Sequence, residues 1–196
     1  MSDEKRPYRM KRRAEAQERT RRRITESAVE LHRTLGPART SISALAERAG
    51  VRRSTVYRHY PDEAALLAAC SAHWVAQYPY PDPGAWARIE EPAERLGVAL
   101  GELYAHYGRV EQMMDNVLRD AATSPAVRNQ LAGLRGYLDA ARDVLMEGRR
   151  LRGRARTRAR AAIGHAISFP TWRSLVREQG LREADAVELM RGLVEG

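Results

Sequence analysis

Two short apolar runs, joined across a single glycine, constrain this chain more than any other feature of its sequence. The stretch "SISALAERAGVRRSTVYRHYP" extends from Ser41 to Pro61, with Gly50 between the two runs. Apolar residues recur three and four positions apart within each run, and this spacing predicts a short helix on each side of the glycine. Neither helix is long enough to be stable alone, so the helices before and after this stretch must complete the core.

Helical spacing extends over the rest of the chain. The helix before the stretch is predicted to begin near Arg12 and to end at Gly36, and another begins after Pro61. The proline-rich segment "YPYPDPG" (residues 78–84) then predicts a boundary between domains 1–82 and 83–196. Further helices are predicted at about 86–107, 109–122, 125–148, 155–179 and 182–195. Because alternating β-branched runs are lacking, we expect an all-α protein of about nine helices, with an N-terminal three-helix domain followed by a helical domain.

The excess basic charge lies in the first third of the chain. Residues 1–60 contain 16 Lys+Arg and 7 Asp+Glu, whereas residues 61–196 contain 18 of each. This asymmetry predicts that the first domain binds a polyanion such as DNA, RNA or anionic lipid, and that the second domain does not.

Two short helices joined by a tight turn at Gly50 are the components of a helix-turn-helix, whose second helix lies in the DNA major groove. Ser41 is the predicted N-cap of the first of these helices. The second helix, at about 53–59, can bury only Val56 and Tyr60, so its other side chains must face solvent or a partner.

The segment "RRRITESAVELHRTLGPARTSISALAERAGVRRSTVYRHYPDEAALL" (residues 21–67) resembles the DNA-binding domain of the TetR family of bacterial transcriptional regulators. "TSIxxLAxxAGV", at residues 40–51, is similar to the family's second helix and turn, and "TVYRHYP", at residues 55–61, to its recognition helix. The family's first-helix positions are matched by Ile24, Ala28, Leu31 and Gly36. The close resemblance covers about a third of the chain, and the remainder is similar only in its helical organisation.

The resemblance implies which side chains contact DNA. Hydroxyl groups suit phosphate oxygens, and an arginine fork can bond guanine O6 and N7 together, so Arg53 is the predicted base-reading residue. Tyr57 and His59 are expected to position the DNA backbone, while Tyr60 faces the core. The full predicted set is Ser41, Arg52, Arg53, Ser54, Thr55, Tyr57 and His59.

Four residues depart from the family pattern. Arg52 replaces the serine that usually caps the recognition helix, and Ser54 stands where glycine is common. Glu63 stands at the start of the fourth helix, where a basic residue is frequent in the family. Pro37 stands where an aromatic residue is usual. The departures leave the domain assignment intact but put one phosphate contact in doubt.

Two arginine-rich segments have alternative interpretations. "KRPYRMKRR" (residues 5–13) is either a disordered tail or an arm that orders on DNA. "GRRLRGRARTRAR" (residues 148–160) is interpreted as a solvated loop and helix start, with a second nucleic-acid patch as the alternative. The arginines of the second short helix have an alternative as well: exposed arginines are common in proteins, so the alternative for Arg52, Arg53 and Arg58 is an ordinary solvated face, while their place within the motif favours DNA contact.

The second domain is expected to bind an effector and to form a homodimer, as the resemblance implies. Many of the side chains concerned could equally be ordinary core. The pocket candidates are His73, Trp74, Tyr104, Tyr107, Met113, Asn116 and Tyr137. The interface candidates, on the last two apolar-faced helices, are Ile167, Trp172, Leu175, Val187, Met190 and Leu193.

Catalytic and cofactor motifs are lacking in the sequence: it has no zinc-protease helix, phosphate loop, nucleophile elbow or dinucleotide fingerprint. Cys70 is the single cysteine, which excludes an intramolecular disulfide and fits a reducing compartment. We expect a cytoplasmic homodimer that binds double-stranded operator DNA as a repressor, released by an unknown small molecule, with no enzymatic activity, metal, cofactor or membrane contact. The alternatives are a constitutive or architectural DNA-binding protein without an effector and, less favoured, an enzyme built on this fold.

Overall fold

A computed structural model describes residues 5–196, and their side chains from Met10 onward. The prediction of an all-α fold is confirmed, since these residues contain no β-strand. The α-helices are α1 Lys5–Thr34, α2 Ile42–Arg48, α3 Arg53–His59, α4 Glu63–Gln77, α5 Pro83–Trp86, α6 Pro92–Ala121, α7 Pro125–Gln130, α8 Ala132–Met146, α9 Gly153–Ala166, α10 Phe169–Arg173 and α11 Glu183–Glu195. A 3₁₀ turn, Pro37–Arg39, follows α1, and a π-helical turn, Ser174–Glu178, follows α10.

The helices form two compact units. Unit 1 comprises the chain up to Gln77 together with Asp115–Gln130, and unit 2 comprises Tyr78–Met114 with Leu131–Gly196. The end of α6, from Asp115 onward, therefore belongs to unit 1 together with α7. The predicted functional boundary at residue 82 stays a prediction.

Unit 1 is built around the helix-turn-helix. Ser41 caps α2, as its spacing predicted, by accepting a hydrogen bond of 3.1 Å from the Ala44 amide. Gly50 has a φ of 60°, a left-handed conformation in which glycine is free of the Cβ clash, and this allows the tight turn into α3. The core of unit 1 includes Ile24, Ala28, Leu31, Leu45, Ala46, Val56, Tyr60, Leu66, Leu67 and Cys70.

The end of α6 holds the end of α1 through hydrogen bonds to backbone groups. The side-chain amide of Asn116 donates to the carbonyls of His32 and Arg33, at 3.3 and 2.6 Å. Arg119 Nη2 donates to the Leu35 carbonyl at 2.9 Å, and Asp120 Oδ2 accepts from the Ala38 amide at 2.9 Å. These bonds satisfy carbonyls that the last turn of α1 leaves open, and so they fix where the helix-turn-helix begins.

Buried His32 gives unit 1 an acid-sensitive group. Burial lowers the pKa of His32 from 6.5 to about 4, although Asp120 opposes the shift, so this side chain is neutral at pH 7. The unfolded chain binds this proton at a higher pH than the folded chain does. The contribution of neutral His32 to the stability of the fold is therefore complete above pH 6.5 and is lost as the pH falls towards 4.

We therefore expect His32→Phe to reduce the acid sensitivity of folding, by about 2 kcal/mol at pH 5 relative to pH 7.5. The measurement is the urea unfolding midpoint at these two pH values, with exposed His165→Gln as the matched control. Equal acid destabilisation of wild type and His32→Phe would contradict the assignment.

Unit 2 has a largely apolar core to which aromatic rings contribute strongly. Trp86, Leu96, Leu100, Leu103, Tyr104, Tyr107, Leu145, Ile163, Ile167 and Trp172 are all less than 3% exposed. Arg95 is also buried, at 4% exposed, and its guanidinium donates to the carbonyls of Ile89, Glu90, Val144 and Glu147 at 2.6–3.3 Å. Arg95 thereby joins the chain before α6 to the C-terminal end of α8.

Several predicted helix boundaries in the second half are wrong. The expected break at Gly108 does not occur, because glycine costs a helix only about 1 kcal/mol. A Cβ at Gly108 would lie 3.0 Å from Glu183 Oε1 and 3.8 Å from Trp172 Cζ2, so glycine permits close packing here. The predicted helix 155–179 instead ends at Ala166, because Ser168 caps a new helix with a proline in its first turn. The predicted helix 125–148 is likewise divided, between α7 and α8.

Candidate nucleic-acid interface

α3 presents a polar face to solvent and an apolar face to the core of unit 1. Arg52, Arg53, Ser54 and Tyr57 are exposed, with Tyr57 at 48%. Thr55 and His59 are half-buried. Ser41, at the start of α2, is exposed as well, and its hydroxyl hydrogen is free to bond a phosphate while the oxygen accepts from Ala44.

Two residues hold α3 from behind. Val56 is fully buried and Tyr60 is 3% exposed, which confirms the prediction that Tyr60 faces the core. The Tyr60 hydroxyl shares a hydrogen bond of 2.5 Å with the hydroxyl of Thr25 on α1, and the Arg21 guanidinium lies 5.6 Å from the Tyr60 ring centroid. A polar surface supported by a fixed, buried side is what a rigid reading helix requires.

The arginines of α3 carry uncompensated charge. Among the described residues, no carboxylate forms an ion pair with Arg52, Arg53 or Arg58, whereas on α1 Arg22 pairs with Glu26 at 2.6 Å. α3 also has no acidic residue in its first turn. The exposed face of α3 is therefore suited to phosphate and base-edge acceptors.

Two further observations concern His59 and Arg52 of the candidate interface. Partial burial, with Arg58 and Arg21 nearby, lowers the pKa of His59. Arg52 is the N-cap residue of α3 but makes no side-chain capping bond, as expected from the replacement of the usual serine.

The N-terminal basic segment is helical from Lys5, so α1 begins earlier than the predicted Arg12. Over residues 5–13 the structure therefore contains a helix and not a disordered tail. Its side chains before Met10 lie outside the described residues. Lys11, Arg12 and Arg13 are exposed on α1. A DNA contact from this segment stays a prediction.

Comparison with known proteins places the helix-turn-helix in a family. Residues 24–70, which span the end of α1 through most of α4, match the family model described as bacterial regulatory proteins, tetR family. Over these 47 of its 196 residues, the chain is similar to the TetR family. No curated protein shows significant similarity to it.

Solved structures of TetR-like fold cover most of this chain. FadR from Bacillus subtilis, in complex with stearoyl-CoA, is 17% identical, with a TM-score of 0.62 over 88% of this chain and 96% of that one. AibR, in complex with isovaleryl coenzyme A and operator DNA, is also 17% identical, with a TM-score of 0.62 over 89% and 97%. FadR from Bacillus halodurans is 16% identical, with a TM-score of 0.59 over 90% and 95%. At these identities the likeness establishes the fold.

The predicted pocket residues are divided between the two units. His73, Trp74 and Asn116 lie in unit 1, where the Asn116 amide is already bound to backbone carbonyls. The others, in unit 2, are Tyr104, Tyr107, Met113 and Tyr137. The three tyrosine hydroxyls donate to the carbonyls of Ala166, Ile167 and Pro81 respectively, at 2.5–3.0 Å. Their polar groups are therefore engaged within the fold, and a ligand role for this set stays a prediction.

The predicted interface residues differ in exposure. Ile167, Trp172 and Met190 are 1%, 0% and 5% exposed, so they belong to the core of unit 2, and this burial speaks against a place in a dimer interface. Leu175 and Val187 are half-buried, and Leu193 is 65% exposed. Leu189, which the sequence interpretation missed, is 43% exposed one helical turn before Leu193.

The arginine-rich segment 148–160 divides into two groups. Arg149 donates to Glu195 and to the carbonyls of Leu145 and Pro92, and Arg160 pairs with Asp143. The exposed members are Arg150, Arg152, Arg154, Arg156 and Arg158. Part of this segment thus stabilises unit 2, and the rest is a solvated basic surface.

Proposed function

We propose that this protein is a sequence-specific transcriptional regulator that binds a pseudo-palindromic operator as a homodimer and is released by a small-molecule effector. The observation that carries the proposal is the exposed, uncompensated polar face of α3, held in place by Val56 and Tyr60. Arg53 reads a base, and Ser41, Arg52, Ser54, Thr55, Tyr57 and His59 bind the phosphate backbone.

A selection of binding sites from random duplex DNA tests the DNA-binding part of the proposal. The expected site is two-fold symmetric, with half-site centres about 34–36 Å apart or a multiple of this distance. We expect affinity about 10³ to 10⁷ times higher than for random DNA. Equal affinity for all sequences would instead favour a constitutive or architectural DNA-binding protein, which the five exposed arginines of 150–158 would suit.

The proposed homodimer uses the exposed apolar side of α11, centred on Leu189 and Leu193, together with the half-buried Leu175 and Val187. In a two-fold interface each residue occurs twice, so a single substitution acts twice. This surface replaces the buried residues Ile167, Trp172 and Met190 as the proposed contact.

Leu193→Glu is expected to weaken the dimer by about 30-fold or more, because two carboxylates would lose water within an apolar contact. Sedimentation equilibrium measures the monomer–dimer constant, and operator affinity should fall with it. Leu151→Glu, at another leucine that is 36% exposed, is the matched control and should remain dimeric. An unchanged dimer in Leu193→Glu would remove α11 from the proposed interface.

For the effector, we propose a small molecule that binds the dimer conformation whose two α3 helices are spaced wrongly for successive grooves. Such a ligand releases DNA only by as much as its affinity differs between the two conformations. The FadR and AibR structures contain coenzyme A thioesters, so stearoyl-CoA and isovaleryl-CoA are the first compounds to titrate against the operator complex.

A further inference from the structure

Unit 2 contains a connected cluster of aromatic rings. The Tyr107 ring centroid lies 6.1 Å from His106, 5.5 Å from Phe169 and 6.0 Å from Trp172. Tyr80 extends the cluster, with its centroid 5.4 Å from His106. These five side chains are called the Tyr107 cluster below.

Two polar atoms in the Tyr107 cluster have no hydrogen-bond partner among the described residues. They are His106 Nδ1 and Trp172 Nε1, and the two residues are 2% and 0% exposed. Folded proteins rarely leave such atoms unpaired, because a buried polar atom loses its hydrogen bonds to water without gaining others.

Other buried polar groups of unit 2 do have hydrogen-bond partners, unlike these two atoms. The hydroxyls of Tyr104 and Tyr107 reach backbone carbonyls, and the indole nitrogen of Trp86 donates to Glu102 at 2.7 Å. One further unpartnered buried atom among the described side chains, Arg142 Nε, belongs to a guanidinium that already bonds Asp139. Among the neutral side chains that the structure describes, the buried polar atoms without a hydrogen-bond partner are thus those of His106 and Trp172. Both residues lie next to the Tyr107 ring.

We propose that His106 and Trp172 form the polar end of the effector site, and that the part of the ligand held there is uncharged, with an apolar body and a carbonyl acceptor. Trp172 Nε1–H donates to the carbonyl oxygen, His106 Nδ1 meets a second ligand dipole, and the rings of the Tyr107 cluster cover the body. This inference rests on the proposed effector-dependent function and names the chemical class that its site takes. Ketones, esters and thioesters belong to that class.

The surroundings favour a neutral ligand over an anion. Burial, with Arg109 nearby, lowers the pKa of His106 to about 4, so its ring carries no charge at pH 7. Arg177, whose guanidinium lies 5.1 Å from the Trp172 ring centroid, is already bonded to both carboxylate oxygens of Glu111 at 2.9–3.0 Å. A carboxylate entering the cluster would lose its hydration, and because Arg177 is already paired, the cation left near His106 is Arg109, which is exposed and hydrated.

Three matched probes separate the contribution of the ligand's carbonyl acceptor to binding from that of its charge. Acetophenone has an aromatic body and a carbonyl, ethylbenzene lacks the carbonyl, and benzoate carries a charge. The chain has three tryptophans, so the indole N–H region of a ¹H–¹⁵N spectrum of the full-length protein should contain three resonances, and Trp172→Phe identifies that of Trp172.

Acetophenone is expected to shift the Trp172 indole resonance and to bind about tenfold more tightly than ethylbenzene, while benzoate leaves the resonance in place. His106→Phe and Trp172→Phe keep a ring at each position and should reduce this tenfold preference, whereas His165→Phe, at an exposed histidine of the same unit, should preserve it.

The proposal is overturned if no probe shifts the Trp172 resonance, or if the preference for acetophenone survives in both cluster variants. The affinities of wild-type protein for acetophenone and ethylbenzene need no variant and no resonance assignment, so equal affinities overturn the proposal even where a variant fails to fold. Because no DNA is present in this experiment, its result is independent of operator binding: a protein that takes the probes but ignores operator DNA would refute the proposed function alone.

Discussion

Arg53→Ala is expected to weaken operator binding by about 30-fold to 10⁴-fold. A bidentate arginine–guanine contact contributes about 1–3 kcal/mol of discrimination, and a symmetric dimer makes the contact twice. Arg53 is exposed and, among the described residues, unpaired with any carboxylate, so its fork needs no rearrangement to reach a base. Fluorescence anisotropy with the selected operator, at one fixed salt concentration, measures the loss.

Two variants separate base reading from charge. Arg53→Lys keeps the charge but loses the planar fork, so it should retain non-specific affinity while base preference relaxes at one position of each half-site. Arg58→Ala removes an exposed arginine from another side of α3 and should have a smaller effect. If Arg53→Ala weakened binding equally on every sequence, Arg53 would be a phosphate contact only.

Arg95→Ala is expected to destabilise unit 2 by about 3–5 kcal/mol. The guanidinium of Arg95 bonds four backbone carbonyls and is almost completely buried. Its removal would leave these acceptors without a partner and the end of α8 without its cap. Urea unfolding followed by circular dichroism measures the loss.

Arg88→Ala is the control for Arg95, since Arg88 is exposed and close to it in the sequence. It should change stability by less than about 0.5 kcal/mol. The stability of Arg95→Lys should lie between those of Arg95→Ala and Arg88→Ala, because one ammonium group cannot reach all four carbonyls. A stability of Arg95→Ala equal to that of Arg88→Ala would show that these hydrogen bonds contribute little net free energy.

The helix-turn-helix could be predicted from the sequence because its signals are local. The Ser41 cap, the Gly50 turn and the spacing of Val56 and Tyr60 each depend on residues only a few positions apart. Tyr60 could be assigned to the core for the same reason. Its hydrogen bond to Thr25 could not, since the two residues are far apart in the chain.

Unit 2 was predicted less well because its organisation depends on contacts between distant residues. An arginine within a charged helix is usually exposed, so no sequence signal indicates the burial of Arg95. Gly108 suggested a helix break, whereas in the structure it lies within α6 and permits the close approach of Glu183 and Trp172, which lie far along the chain. Ser168 followed by a proline was a readable capping signal, and the sequence interpretation missed it.

The most direct test of the proposed DNA reading is methylation interference on the selected operator. Dimethyl sulfate modifies guanine N7 in the major groove and adenine N3 in the minor groove, and therefore reports which groove α3 enters. We expect interference at guanine N7 in each half-site with wild-type protein, and its loss at one symmetry-related guanine per half-site with Arg53→Ala. Interference confined to adenine N3, or an identical guanine pattern in both proteins, would contradict the assignment of the exposed face of α3 to base reading.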